Sequence, residues 1–284
     1  MPGLEEVELP TWEGFHEVIR NIDERRTESQ RRERRLFLPL LFRGLGNSDW
    51  GLETTLDRAY PHEVKRVIAT LPEYFEMARK CLPAIETFTD QRWEGMPETP
   101  GDFRTLLAKS LNDFDGSLFF SDNQPVYRYL VYLRHHGFPS PFLDWTASPY
   151  IAAFFAFDAM ERNAKSVSIY AMVRDIQRAT DFTVPQISVL GGNIRAHRRH
   201  MVQQSRYTIC IAWSGDHPFG RHDNSFAEDG TMGAKGMAFK INIPASERAN
   251  ALKSLDLMNV NAYSLFGSDD SLIKTIGRRE ALLQ

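Results

Sequence analysis

Apolar and polar positions along this chain follow two periods in turn, and the changes between them mark its elements. From Thr11 to Leu36 the apolar residues Trp12, Phe15, Val18, Ile19 and Ile22 recur at helical spacing. Arg25 to Arg35 then carries mixed charge, which reads as a solvated helix end or a basic contact surface for a partner. Leu36 to Gly44 is an apolar run that predicts a buried strand, and Gly44, Gly46 and Asn47 supply turn chemistry after it. A second element covers Trp50 to Leu56. Glu63 to Phe88 predicts a helix in two pieces, broken at Pro72 and Pro83. Arg92 to Gly101 reads as a loop and Phe103 to Phe114 as a helix.

Further along, Val126 to His136 has a helical Tyr/Leu/Val face, and Gly137 sits where a C′ glycine belongs. Phe138 to Trp145 is extended and punctuated by prolines. Ser148 as N-cap and Pro149 at the first helical position predict a helix to about Arg162. Ser166 to Val173 is a strand, Asp181 to Leu190 an irregular stretch around Pro185, and Tyr207 to Trp213 a strand. Ser214 to Gly236 is a long Gly/Asp/His-rich loop of mobile or functional character. Gly236 to Ile243 is a strand, Ala245 to Met258 and Ser268 to Leu282 are helices, and Tyr263 to Gly267 is a packing turn. Strands and helices interleave without a strict βαβ rhythm. The expected fold is α+β, a mixed central β-sheet decorated by several helices.

Composition narrows the function classes. The 284 residues are 42% hydrophobic and 25% charged, an ordinary globular balance, with a net charge of -3. That charge gives no global attraction to nucleic acid or to an anionic membrane, so any such contact needs a local patch. Cys81 and Cys210 are far apart, which excludes a cysteine zinc site and argues against a disulfide framework. The opening residues lack a basic segment followed by an apolar one, so no signal peptide is expected. The longest apolar run, Tyr150 to Phe157, is too short for a bilayer. The expected location is cytoplasmic, with no membrane partner.

Candidate chemistry concentrates in four places. Arg43 ends an apolar strand and precedes Gly44; its guanidinium suits a phosphate or carboxylate, or a structural salt bridge to Asp144. His135 and His136 are adjacent, about 100° apart on a helix, so they do not easily share one metal ion. One suits capping, the other a pocket. Asp144-Trp145-Thr146-Ala147-Ser148 leads straight into a helix N-terminus, a natural anion site or simply a turn and a cap. Arg195 to Thr208 gathers four arginines and two histidines around Gln203 and Gln204, and reads as a phosphate-contacting cluster or a solvated basic loop. The sequence has no GxSxG, P-loop or GxGxxG motif.

These residues resemble the FRG domain, a family of bacterial and phage proteins. The resemblance rests on Phe42-Arg43-Gly44, on Trp50, Leu52 and Thr55-Leu56-Asp57-Arg58, and on Arg134 to Thr146, where the family usually reads QHHGxPTRLLDWT. Arg199, Gln203, Gln204, Tyr207 and Thr208 match a later Arg/Gln and aromatic-Thr pattern. Two departures stand out: Arg134 replaces the usual Gln, and Ser140-Pro141-Phe142 replaces Thr-Arg-Leu. The implied organisation is a charged helical extension over 1–35 and an FRG domain over 36–284.

A second resemblance is to ADP-ribosyltransferases, which imply an Arg strand, then Ser/Thr before a helix, then an acidic or Gln residue opening another strand. Arg43, Thr146 with Ser148, and Gln203 or Gln204 follow that order. What it implies is an enzyme that cleaves NAD and modifies a macromolecular acceptor, protein or nucleic acid, in a toxin or phage-defence setting. Arg43, His136, Asp144 and Gln204 would be catalytic. Arg43, Gly44, Trp145, Thr146, Ser148, Tyr150 and Gln203 would bind NAD, with no metal. No Glu stands at the third position; Glu228, in the long loop over 214–236, is the acidic candidate for it. Two other readings remain: a non-catalytic nucleotide- or nucleic-acid-binding module, and a metal-dependent nuclease using His135, His136, Asp144 and His200.

Overall fold

The computed structural model describes residues 4–33, 37–59, 68–110, 120, 124–173, 183–190, 198–227 and 237–282. Seven strands form one mixed sheet among them: β1 (Leu4–Glu8), β2 (Leu41–Leu45), β3 (Phe142–Thr146), β4 (Ser166–Val173), β5 (Gln186–Leu190), β6 (Ser205–Ile211) and β7 (Met237–Pro244), in the order β1-β7-β4-β2-β3-β6-β5. β1 runs parallel to β7 and the other neighbours are antiparallel. The helices are α1 (Phe15–Glu33), α2 (Thr55–Ala59), α3 (Leu71–Thr89), α4 (Pro100–Ser110), α5 (Pro125–His135), α6 (Pro149–Asp158), α7 (Arg198–Val202), α8 (His222–Ala227), α9 (Arg248–Leu257), α10 (Ala262–Phe266) and α11 (Asp269–Leu282). The α+β expectation of a mixed sheet decorated by helices holds.

Side chains alternate across the sheet with the period of 2 that strands impose. Phe42, Val167, Ile169, Ala171, Phe239, Ile241 and Ile243 pack with Trp12, Phe15, Phe154, Phe157 and Leu252. Phe142, Tyr207, Ile209 and Ile211 pack with Tyr74, Phe75, Phe103, Leu130 and Leu133. Their intervening neighbours Leu41, Leu143, Trp145, Tyr170, Met172 and Cys210 form a third cluster. Because Phe42 registers with Thr146, the first two clusters lie on one face of the sheet. That face therefore carries two groups of helices: α1, α6 and α9 over β7-β4-β2, and α3, α4 and α5 over β3-β6.

Several elements differ from the sequence reading. Residues 1–35 read as an extension, but β1 is an edge strand of the sheet, and Trp12, Phe15 and Ile22 are buried in its core. The charged Glu5, Glu6 and Glu8 mask β1 in the sequence, as an edge strand with an exposed side allows. Of the element expected over Trp50 to Leu56, residues 50–54 form no helix or strand and lead into α2. Asp181 to Leu190 reads as irregular in sequence, yet Gln186–Leu190 pairs with β6. The turn expected over Tyr263 to Gly267 is occupied by the short helix α10, which Asn261 caps at its start and Gly267 at its end. α6 stops at Asp158, before Arg162, because the chain turns there onto β2: Glu161 N–H donates to the Gly46 carbonyl at 3.0 Å. Within the loop read over 214–236, α8 is present; residues 228–236, 60–67, 111–119, 174–182 and 191–197 lie outside the described residues, as do Glu228 and Arg195. No described helix is long and apolar enough to cross a membrane.

Pro83 does not break α3. The helix starts from a Thr70–Glu73 capping box with Pro72 in its first turn, where a missing N–H costs nothing, and continues through Pro83. Pro83 is exposed and supplies no donor to the helix. Pro83→Ala is therefore expected to raise stability by about 1–2 kcal/mol, read as a higher urea midpoint at unchanged slope.

Candidate functional site

The sheet splits at its centre. β2 and β3 share one registered pair, Phe42 with Thr146, and part beyond it. Arg43 spans the gap, donating from Nη1 to the backbone carbonyl of Asp144 at 2.7 Å. A cavity of about 400 Å³ opens there, between the α5 group of helices and the α6 group. Its lining includes Arg43, Gly44, Asp144, Trp145, Thr146 and Gln203, six of the residues expected from sequence. His135, Ser205, Phe155, Asp158 and Phe266 complete its polar and aromatic walls.

Each part follows from local structure. Phe42, Arg43 and Gly44 have three separate jobs. Phe42 is buried under α6. Gly44 lets α6 lie directly on β2: a Cβ there would sit 1.9 Å from the Ala152 carbonyl oxygen and 2.7 Å from the Ala156 nitrogen. Arg43 is left at the parting of the strands. Gly137, at φ +84°, ends α5 in the left-handed region and turns the chain toward β3. Ser148 caps α6 by accepting from Ile151 N–H at 3.3 Å.

Asp144 does not form the salt bridge with Arg43 that the sequence left open. Its Oδ2 is ion-paired with Arg134 Nη2, while Arg43 takes its main-chain oxygen. Arg134, which in the sequence stands solely as a departure from the motif, is thus the ion-pair partner of Asp144. Arg43 Nε, Arg134 Nε and Asp144 Oδ1 are buried with no hydrogen-bond partner. An unpaired buried donor or acceptor costs about 1–3 kcal/mol, which a bound ligand with matching groups would remove. Burial lowers the Arg43 pKa to about 10, with Asp144 opposing that shift and Arg134 adding to it. Arg43 stays charged at neutral pH, so two guanidiniums face one carboxylate here and the balance favours an anion.

Other sequence candidates fall elsewhere. His136 is exposed at the end of α5 and packs on Tyr132; its neighbour His135 lines the cavity instead, with Nε2 2.8 Å from the Tyr207 hydroxyl. Gln204 is exposed at φ +48° and its backbone carbonyl accepts from Ala147 N–H; Gln203 is the glutamine in the cavity, donating to the Leu265 carbonyl at 3.1 Å. Tyr150 is outside the lining, with its hydroxyl 2.7 Å from His16 Nδ1, and Ser148 acts as a cap. His200 reaches the same Tyr207 hydroxyl at 3.1 Å. Burial raises the Tyr207 pKa, so the phenol stays protonated between the two imidazoles. Among the described residues no group of three or more His, Cys, Asp or Glu side chains is placed to hold a metal ion.

On the opposite face, Trp145 Nε1 donates to Thr208 Oγ1 at 2.8 Å, and that hydroxyl lies 3.0 Å from His222 Nε2. This fixes the indole at the base of the split. His222 is buried, and desolvation lowers its pKa to about 3, with nearby Arg43 contributing and Asp57 opposing. An unfolded His binds a proton near pH 6.5, whereas this one resists it. The unfolded state therefore binds more protons between those values, and stability falls as pH drops below about 6.5. The expected loss approaches about 1.4 kcal/mol per pH unit in that window, and His222→Gln should flatten it. Urea midpoints measured from neutral pH to pH 5 check this.

The comparisons agree with the motif. Residues 39–165 match the FRG domain family, so the segment that carries β2, β3, α5 and α6 is an FRG domain. No curated protein and no solved structure matches the chain.

Proposed function

We propose that the cleft in the split sheet binds NAD, cleaves its nicotinamide–ribose bond and passes ADP-ribose to a macromolecule. The observation that carries this reading is Arg43 at the parting of β2 and β3, charged, with a buried Nε–H lacking a partner. A diphosphate matches that donor fork. A cavity of about 400 Å³ lies within the range of small-ligand sites, and Phe155 and Phe266 offer flat apolar walls for a nicotinamide or adenine ring.

The chemistry needs a group that stabilises positive charge on the ribose. The bond from ribose C1′ to the nicotinamide nitrogen breaks, and its electron pair leaves with nicotinamide. An acceptor nucleophile then bonds to C1′ and loses its proton to solvent. Two carboxylates line the cleft; Asp158 is held by both Lys274 and Arg278, which leaves Asp144 to stand in place of the Glu that the ADP-ribosyltransferase resemblance calls for. An acceptor-only carboxylate is suited to an oxocarbenium-like centre. A toxin or phage-defence setting belongs to the same proposal.

A second reading, a nucleotide-binding module without turnover, is favoured by a specific observation. Asp144 is already paired with Arg134, and Gln203 with the Leu265 carbonyl. A neutralised carboxylate stabilises a cationic transition state less well. Calorimetric titration with NAD and with ADP-ribose tests the shared part: one NAD per chain is expected, with ADP-ribose competing. If neither binds, both readings fail. If NAD binds and is never consumed, the second reading replaces the first.

A further inference from the structure

A second hollow, of about 350 Å³, adjoins the cleft and shares Phe266 with it. Its lining contains two arginines, Arg198 and Arg199, and no acidic residue. That is unusual for a chain whose net charge is -3. Arg198 is exposed and has no ion-pair partner among the described residues. Arg199 is half-buried, with its guanidinium 5.6 Å from the Phe266 ring and its Nε donating to the Phe266 carbonyl at 3.4 Å. Tyr263 is 49% exposed on the same wall. Its main-chain N–H is held by Thr275 Oγ1 at 2.9 Å, so an aromatic ring is offered to solvent from a fixed backbone.

From these features we infer that the hollow binds a stretch of single-stranded nucleic acid. Guanidiniums suit phosphates and an exposed ring suits a base, a pairing that recurs in sequence-tolerant single-strand sites. The alternatives fit less well. An acidic peptide has no use for the exposed ring, and a duplex cannot place an unstacked base against it. The shared Phe266 makes the hollow continuous with the cleft, so a strand seated here would lie beside whatever the cleft holds. The inference concerns binding alone and stands independently of the NAD reading.

The test uses the full chain, with fluorescence anisotropy of labelled oligo(dT) and oligo(U) over a range of salt concentrations. Binding is expected for at least one of them, with log affinity falling against log salt at a slope of about -1.4, for two phosphate contacts on a single strand. Tyr263→Ala should weaken binding by about fivefold or more, the loss of one stacked base. Arg198→Glu should weaken it and flatten the slope. Lys80→Glu, an exposed cation on α3, should leave it unchanged. Each variant is first shown to be folded by circular dichroism. Arg43→Ala that loses NAD and keeps the oligonucleotide would separate this site from the cleft and support the inference. The inference is overturned if neither oligonucleotide binds, if Tyr263→Ala and Arg198→Glu both bind as the parent does, or if polyglutamate displaces the strand equally well.

Discussion

Gly44→Ala is expected to cost about 3 kcal/mol or more, enough to leave little folded protein in a domain of ordinary stability. The added methyl carbon would stand 1.9 Å from the Ala152 carbonyl oxygen and 2.7 Å from the Ala156 nitrogen. Both are main-chain atoms in the middle of α6, so no side chain can swing away. Relief requires α6 to lift off β2, which would open the packing of Phe42 against Phe154 and Phe157. It would also widen the split that Arg43 bridges. Gly137→Ala is the natural comparison: its φ of +84° makes a side chain strained, yet nothing lies within 4 Å. That change should cost only about 1 kcal/mol. Urea unfolding of the two variants checks the difference. Equal losses would mean that the close approach of helix and strand at Gly44 is not what holds the cleft in shape.

Asp144→Ala should destabilise by about 1–3 kcal/mol, below the range for a fully buried pair because 42% of the Asp144 side chain is exposed. The loss would come from Arg134, whose side chain is 13% exposed and would be left as a cation without its partner. Replacing Arg134 as well removes the stranded charge. Arg134→Met with Asp144→Ala should therefore recover most of the loss, a coupling that a double-mutant cycle measures directly. Arg43 is expected to couple to Asp144 more weakly than Arg134 does, because its bond is to the main-chain oxygen, which alanine retains, and only the through-space attraction is lost. A strong coupling between Arg43 and Asp144 with none between Arg134 and Asp144 would contradict this geometry.

How much of this was legible in the sequence depends on the kind of signal. The helical period around Trp12, the cap at Ser148 and the run from Ser166 to Val173 gave α1, α6 and β4 directly, because each is a local pattern. β1 and β5 were not legible: an edge strand rich in Glu and a strand next to Pro185 owe their state to pairing with distant partners, β7 and β6. Pro83 misled for the same reason, since the packing of α3 outweighs one missing hydrogen bond. In the cleft, residue types were legible and exact positions less so. Arg43, Asp144 and Trp145 were identified from their motifs. The choice between His135 and His136, or between Gln203 and Gln204, turns on a helix end and on a left-handed residue at φ +48°, which shift a side chain by a whole face. Arg134 shows the limit most clearly. As a deviation from a pattern it carried no role, and only the contact across from α5 to β3 gave it one.

The central claim is that the split between β2 and β3 is a site for NAD anchored by Arg43. The most direct test is nicotinamide release from NAD by the purified protein, with and without nucleic acid, set beside Arg43→Ala shown to be folded by circular dichroism. The account predicts release by the parent and a loss of about 100-fold or more in the variant, the scale of removing a charged contact to the reacting substrate. Release that survives in a folded Arg43→Ala, or no release and no NAD binding by the parent under any condition, would contradict it.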